Sequence, residues 1–107
     1  MSRKDVAEKL IEELKLTQTR PAMYIGETTV LSMRNYLSGM YAVLVLIGIV
    51  FTSEIRHKAI TSRGWETSST GAVADMQAHG LSEWQMVQEL LLIEIKMLEL
   101  VAEGLAD

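Results

Sequence analysis

The side chains best suited to proton transfer or metal binding in this sequence are its two histidines, His57 and His79. Asp75 and His79 stand four positions apart, which on a helix puts both on one face, as two ligands of one metal ion would be. No third ligand stands at a suitable spacing, and a capped surface helix would carry the same pair, so no metal is expected. Glu12 and Glu13 are adjacent carboxylates, but they fall on the outward face of a predicted helix, where solvation explains them better than acid–base work. The sequence lacks a Gly-x-Ser-x-Gly turn, a phosphate-binding P-loop, a His-Glu-x-x-His pair and a dinucleotide fingerprint. With no cysteine there is no disulfide framework and no thiolate metal site. The expectation is a non-enzymatic protein without a cofactor.

Arg56, His57, Lys58 and Arg63, followed by Trp65, form the one basic cluster with an adjacent aromatic, a combination that can neutralise phosphates and stack on bases. The chain carries 10 Lys+Arg against 14 Asp+Glu, a net charge of −4. That balance argues against nucleic acid as a partner, and basic residues near a helix C-terminus account for the cluster through the helix dipole.

The elements that position these residues read as all-α. A chain of 107 residues is one domain, spanning 1–107, with one modest core. Ser2 with Asp5 has capping-box spacing, and Val6, Leu10, Ile11 and Leu14 follow at helical intervals. Charges alternate over this first helix, unlike the apolar stretch of a secretory signal. Pro21 stops it and leaves Arg20–Gly26 as an extended connector that turns at Gly26. Thr28 or Thr29 caps a second helix, expected to run from Val30 to near Thr52 through Gly39 and Gly48, two positions suited to a close backbone approach. Ser53 caps a third helix that Gly64 ends, and residues 67–71 read as a mobile loop. A short helix over 72–79 closes at Gly80, and Ser82 with Gln85 forms a capping box for a last helix reaching about Glu103. The architecture expected is a compact bundle of four main helices with a short fifth in the 64–81 connection.

Mean hydropathy is +0.17, and the apolar excess is concentrated in two places. Tyr36–Phe51 carries no charge, but as a helix it spans only about 24 Å against the ~30 Å of a bilayer core, so the expectation is a buried helix of a cytoplasmic protein and no membrane contact. In the last helix, Trp84, Leu91, Leu98 and Leu105 make one apolar stripe with Val87, Ile95 and Ala102. Met86, Leu90, Ile93, Met97 and Leu100 make a second beside it. One stripe suffices for a monomeric bundle, so the second points to a homo-oligomer joined through Gly39, Leu46, Gly48, Met86, Leu90, Ile93, Met97 and Leu100. Coverage of both stripes by the shorter helices is the competing reading.

Arg20-Pro21-Ala22-Met23-Tyr24-Ile25-Gly26 resembles the Arg-Pro-Gly-Met-Tyr-Ile-Gly motif near the start of the ATPase subunits of gyrase B and topoisomerase IV. The resemblance covers about thirty residues, and Ala22 stands where that family has glycine. The family's catalytic glutamate and magnesium-binding asparagine fall at Leu37 and Tyr41, so the resemblance does not carry ATPase activity to this chain. A closer resemblance is to small bacterial proteins of about this length. Like this chain, they open with a helix, continue through Arg-Pro-x-Met-Tyr-x-Gly into a second helix, and place a Gly-Trp, here Gly64-Trp65, before a final apolar helix. This resemblance implies a fold and no activity. Under it, Met23, Tyr24 and Ile25 pack the turn onto the bundle. Two functional expectations result. The first is a protein that acts through protein–protein contact, as a regulator, inhibitor or immunity-type partner. The second is a small-ligand or nucleotide module built on Arg20, Tyr24, Gly26, Arg63, Trp65 and the 63–71 loop.

Overall fold

Four helix starts in this chain are set by hydroxyl side chains. In the computed structural model, which describes residues 2–66 and 71–105, Ser2 Oγ accepts the Asp5 N–H at 3.1 Å while the Ser2 N–H donates to the Asp5 carboxylate. Thr29, Thr52 and Ser82 each accept the N–H three residues on, and Gln85 returns the bond to Ser82, completing a second capping box. The resulting helices are α1 (Arg3–Thr19), α2 (Pro21–Ile25), α3 (Val30–Leu46), α4 (Ser53–Ser62), α5 (Gly71–Ala78) and α6 (Glu83–Gly104). No strand occurs among the described residues. Residues 67–70, most of the loop read as mobile, lie outside them.

Three helix ends share one design. Ile49, Trp65 and Leu81 each donate a backbone N–H back to Leu44, Ile60 and Met76, with Gly48, Gly64 and Gly80 at positive φ just before them. This is the Schellman motif: a left-handed glycine reverses the chain, and the apolar residues on either side of it fold onto the core. Gly48 therefore ends α3 at Leu46 and is not an interior residue, which corrects the expectation of a helix reaching Thr52. It is no close-contact point either: a Cβ there would meet only Arg3 Nη1, at 3.7 Å, and a Cβ at Gly39 would meet nothing within 4 Å. The Arg20–Gly26 connector is a short helix instead of extended chain. Arg20 is out of the α region at φ −142°, as a residue before proline should be, but Pro21 then serves as the first residue of α2.

The core is organised around α6. Val87, Leu91 and Leu98 are fully buried, and α1, α3 and α4 all pack against this helix. The second stripe is covered as well: Met86, Ile93 and Met97 are buried within the chain, and Leu90 and Leu100 are half-buried. The doubled stripe thus needs no second copy, because α6 is flanked on two sides. The cost appears on α3. Only Met33 and Leu44 of its residues are buried, so α3 is not enclosed on all sides as its composition suggests. The molecule measures 41 × 30 × 19 Å, and 19 Å is about two helix diameters. A slab of two layers leaves each peripheral helix one uncovered face. No helix among the described residues is long and apolar enough to cross a membrane.

Candidate functional site

The residues singled out from the sequence separate into two places. At the corner between α1 and α3, Pro21 is buried, Tyr24 and Ile25 are half-buried, and Arg20 and Gly26 are exposed. Met23 is 71% exposed and does not pack the turn. Arg63 and Trp65 lie at the end of α4 against α6, where both are engaged. The Arg63 guanidinium donates to both oxygens of Glu89 at 3.1 and 2.7 Å, and the Trp65 indole N–H donates to the same carboxylate at 2.7 Å. Burial alone would push Glu89 upward, but the bonds from Arg63 and Trp65 and the Arg63 charge outweigh it and hold the carboxyl below its usual range. Arg63 and Trp65 share a cavity of about 360 Å³ with Leu81, Trp84, Gln85, Gln88 and Glu89; Arg20, Tyr24 and Gly26 are not part of its wall. Residues 67–70 of the 63–71 loop in the second expectation lie outside the described residues.

Asp75 and the residue just past the end of α5, His79, do come together, with His79 Nδ1 3.5 Å from an Asp75 oxygen. The other Asp75 oxygen accepts the Glu66 N–H at 3.0 Å, and His79 meets the edge of Trp65. Both side chains thus secure the segment after α4. Among the described residues no group of three His, Cys, Asp or Glu side chains could hold a metal ion.

Two other features are left without such a structural use. The first is the outer face of α3. Leu46 is 85% exposed, and Val43, Val45, Ile47 and Val50 are exposed around it. Beside them runs an apolar groove of about 510 Å³ between α1 and α3, lined by Val6, Leu10, Asn35, Tyr36, Gly39, Met40 and Val43. The groove keeps its shape because the Tyr36 hydroxyl lies 3.3 Å from the buried Thr17 Oγ1, tying α3 to α1.

The second is a cavity of about 390 Å³ on the other side of α3, enclosed by α3, α4, α5 and α6. Its walls are mainly apolar, and three charged side chains reach it: Arg34 from α3, Arg56 from α4 and Glu94 from α6. Glu94 is only 6% exposed and makes no hydrogen bond or ion pair among the described residues. Burial pushes its carboxyl up to about 7, the Arg56 charge opposing this weakly. The Arg56 guanidinium lies over the rings of Tyr41 and Phe51, 5.3 and 5.7 Å from their centres, and the two rings stack on each other at 5.3 Å.

Sequence reasoning passed over Glu94. The signal was present: Leu90, Leu91, Met97 and Leu98, at three and four positions on either side, are all apolar, so this glutamate stands on the buried face of its helix. Compared with known proteins, the chain matches no family model, no curated relative and no solved structure.

Proposed function

We propose that this chain is a small non-enzymatic protein of the cytoplasm that works by protein–protein contact, as a regulator, inhibitor or immunity-type partner, and that it self-associates through α3. The observation that carries the reading is the 85% exposure of Leu46 at the end of α3, with Val43, Val45, Ile47 and Val50 exposed around it. Contiguous exposed apolar surface of this kind is what interfaces are made of. Nucleic acid and membrane are not partners in this reading. In it, α1, α3, α4 and α6 are the main members of a bundle whose open side is the contact.

A second copy is the occupant that fits. A two-fold contact sets a surface against itself, so any net charge in it would repel its own image. Residues 35–53 carry none, whereas the chain as a whole carries −4. Gly39, Val43 and Leu46 stand in one line along α3. With the axis level with the midpoint between Ala42 and Val43 and the helices antiparallel, Leu46 of each copy meets Gly39 of the other, where there is no side chain and nothing within 4 Å of a Cβ. Of the interface expected from the sequence, this keeps Gly39 and Leu46. Gly48 borders it, and the buried Met86, Ile93 and Met97 drop out, together with the half-buried Leu90 and Leu100 of the same stripe.

Light scattering of the purified chain tests the reading. The expected mass is twice 12.0 kDa, and Leu46→Glu should return it to 12.0 kDa with an unchanged helical circular dichroism spectrum. A wild-type mass of 12.0 kDa at all concentrations up to roughly millimolar would reject self-association.

A further inference from the structure

The cavity between α3, α4, α5 and α6 has a chemistry of its own and lies on the opposite side of α3 from the self-association face. We infer that it binds a small organic acid, whose carboxylate pairs with Arg34 and Arg56 and whose apolar body lies against Ile60, Val73, Ile93 and Met97.

The polar groups at the cavity specify the head group. Each guanidinium carries five N–H donors in a planar fork, and among the described residues neither Arg34 nor Arg56 spends one on a protein acceptor. A carboxylate matches that fork with two parallel hydrogen bonds. Glu94 fits the same ligand. In its protonated form it donates a further O–H toward a ligand carboxylate, alongside the two guanidinium groups. An ammonium ligand would gain Glu94 but would have to enter between two cations. Among the described residues Tyr41 is the only other titratable group on the wall, and α5 contributes Ala72 and Val73.

The remaining geometry sets size and affinity. A volume of about 390 Å³ is at the small end of the range of ligand sites, which is roughly 300–1,000 Å³, and suits a small ligand. Arg56 is already fixed on two rings, so little side-chain freedom is lost when it takes up a carboxylate. Placing a negative head close to Glu94 favours the protonated form of that side chain. Binding should therefore draw a proton from solution near neutral pH, and an amine would release one.

The test is calorimetric titration of the full chain with 3-phenylpropionate and octanoate, run in two buffers of different ionisation heat. The alcohol and amine of the same skeletons, 3-phenylpropan-1-ol and 3-phenylpropylamine, serve as comparisons. The acids should bind with proton uptake, and the alcohol and amine roughly tenfold or more weakly. Arg34→Gln and Arg56→Gln, both at exposed side chains, should each weaken the acids by roughly tenfold and leave the self-association mass unchanged. Amide shifts in the wild-type chain should be confined to the neighbourhood of Arg34, Tyr41, Phe51, Arg56 and Glu94, a readout independent of how the variants fold. No binding of either acid at roughly 10 mM overturns the proposal. So does equal or tighter binding of the amine, or shifts centred elsewhere.

Discussion

Trp65 donates its indole N–H to Glu89 at 2.7 Å, and this one hydrogen bond places the residue after the α4 turn against the second turn of α6. The same carboxylate accepts two bonds from Arg63, so a single acidic side chain satisfies three donors from two residues flanking Gly64. The left-handed glycine makes this possible, because it reverses the chain and brings both neighbours to the same side.

Glu89→Ala should therefore loosen the α4–α6 junction as a unit. Removing the acceptor leaves the half-buried Trp65 N–H unpaired, and Arg63, which is 40% exposed, is partly compensated by water. The expected loss is about 1–2 kcal/mol, less than a fully buried network would cost. For a domain of this size that lowers Tm by roughly 5–10 °C. Because the Glu89 carboxyl is held below its usual range in the folded chain, its contribution is complete above that range and disappears as pH falls through the lowered value. Thermal melts from neutral pH down to strongly acidic pH, below the ordinary carboxylate range, should converge for wild type and Glu89→Ala at the acid end. A difference that stays constant with pH would count against this account.

Two glycines of α3 and its end make opposite predictions. Gly48 sits at φ +85°, where a side chain costs about 1 kcal/mol or more, so Gly48→Ala should lower stability by that amount. Gly39 is helical with open space around its Cβ position, and Gly39→Ala should raise stability by about 0.5–1 kcal/mol. Denaturant unfolding at low protein concentration measures both without the contribution of self-association. At high concentration the added methyl should weaken the dimer, since it lies where Leu46 of the other copy is proposed to rest.

The glycines also show what could be read locally. Gly64-Trp65 and Gly80-Leu81 are legible as helix ends because polar residues precede them. Gly48 has the same neighbours in the Schellman sense, Leu44 before and Ile49 after, but it stands inside a charge-free run that reads as continuous helix. Caps were legible because their bonds reach only three residues: Ser2, Thr29 and Ser82 are where side-chain chemistry puts them, and α4 starts from Thr52, one residue before the expected Ser53. The coverage of α6 was not legible. Two stripes on one helix are compatible with a partner copy or with flanking helices of the same chain, and only the packing of α1, α3 and α4 decides between them. Pro21 misled for a related reason: it ends a helix and can equally begin one.

Glu94 gives the sharpest pH dependence. Its carboxyl lies at about 7 in the folded chain against an ordinary 4.5, with burial as the main cause. Between these values the folded state holds a proton that the unfolded chain has released, so stability from this group falls as pH rises from 4.5 and is fully lost above about 7. The groups facing it are Arg34 and Tyr41 from α3 and Arg56 from α4, and only Arg56 offsets the penalty, weakly. Glu94→Gln keeps the shape and cannot ionise. The variant should match wild type near pH 4.5 and exceed it at alkaline pH by up to about 3 kcal/mol, the free energy of a shift of this size. Urea unfolding of both proteins across that range measures the difference directly. If the two curves stay parallel, Glu94 is ionised in the folded chain and its charge must be met by a hydrogen-bond donor or a cation. The acid-binding cavity would then lose its neutral donor, while the pairing of a ligand carboxylate with Arg34 and Arg56 would stand or fall on the titration alone.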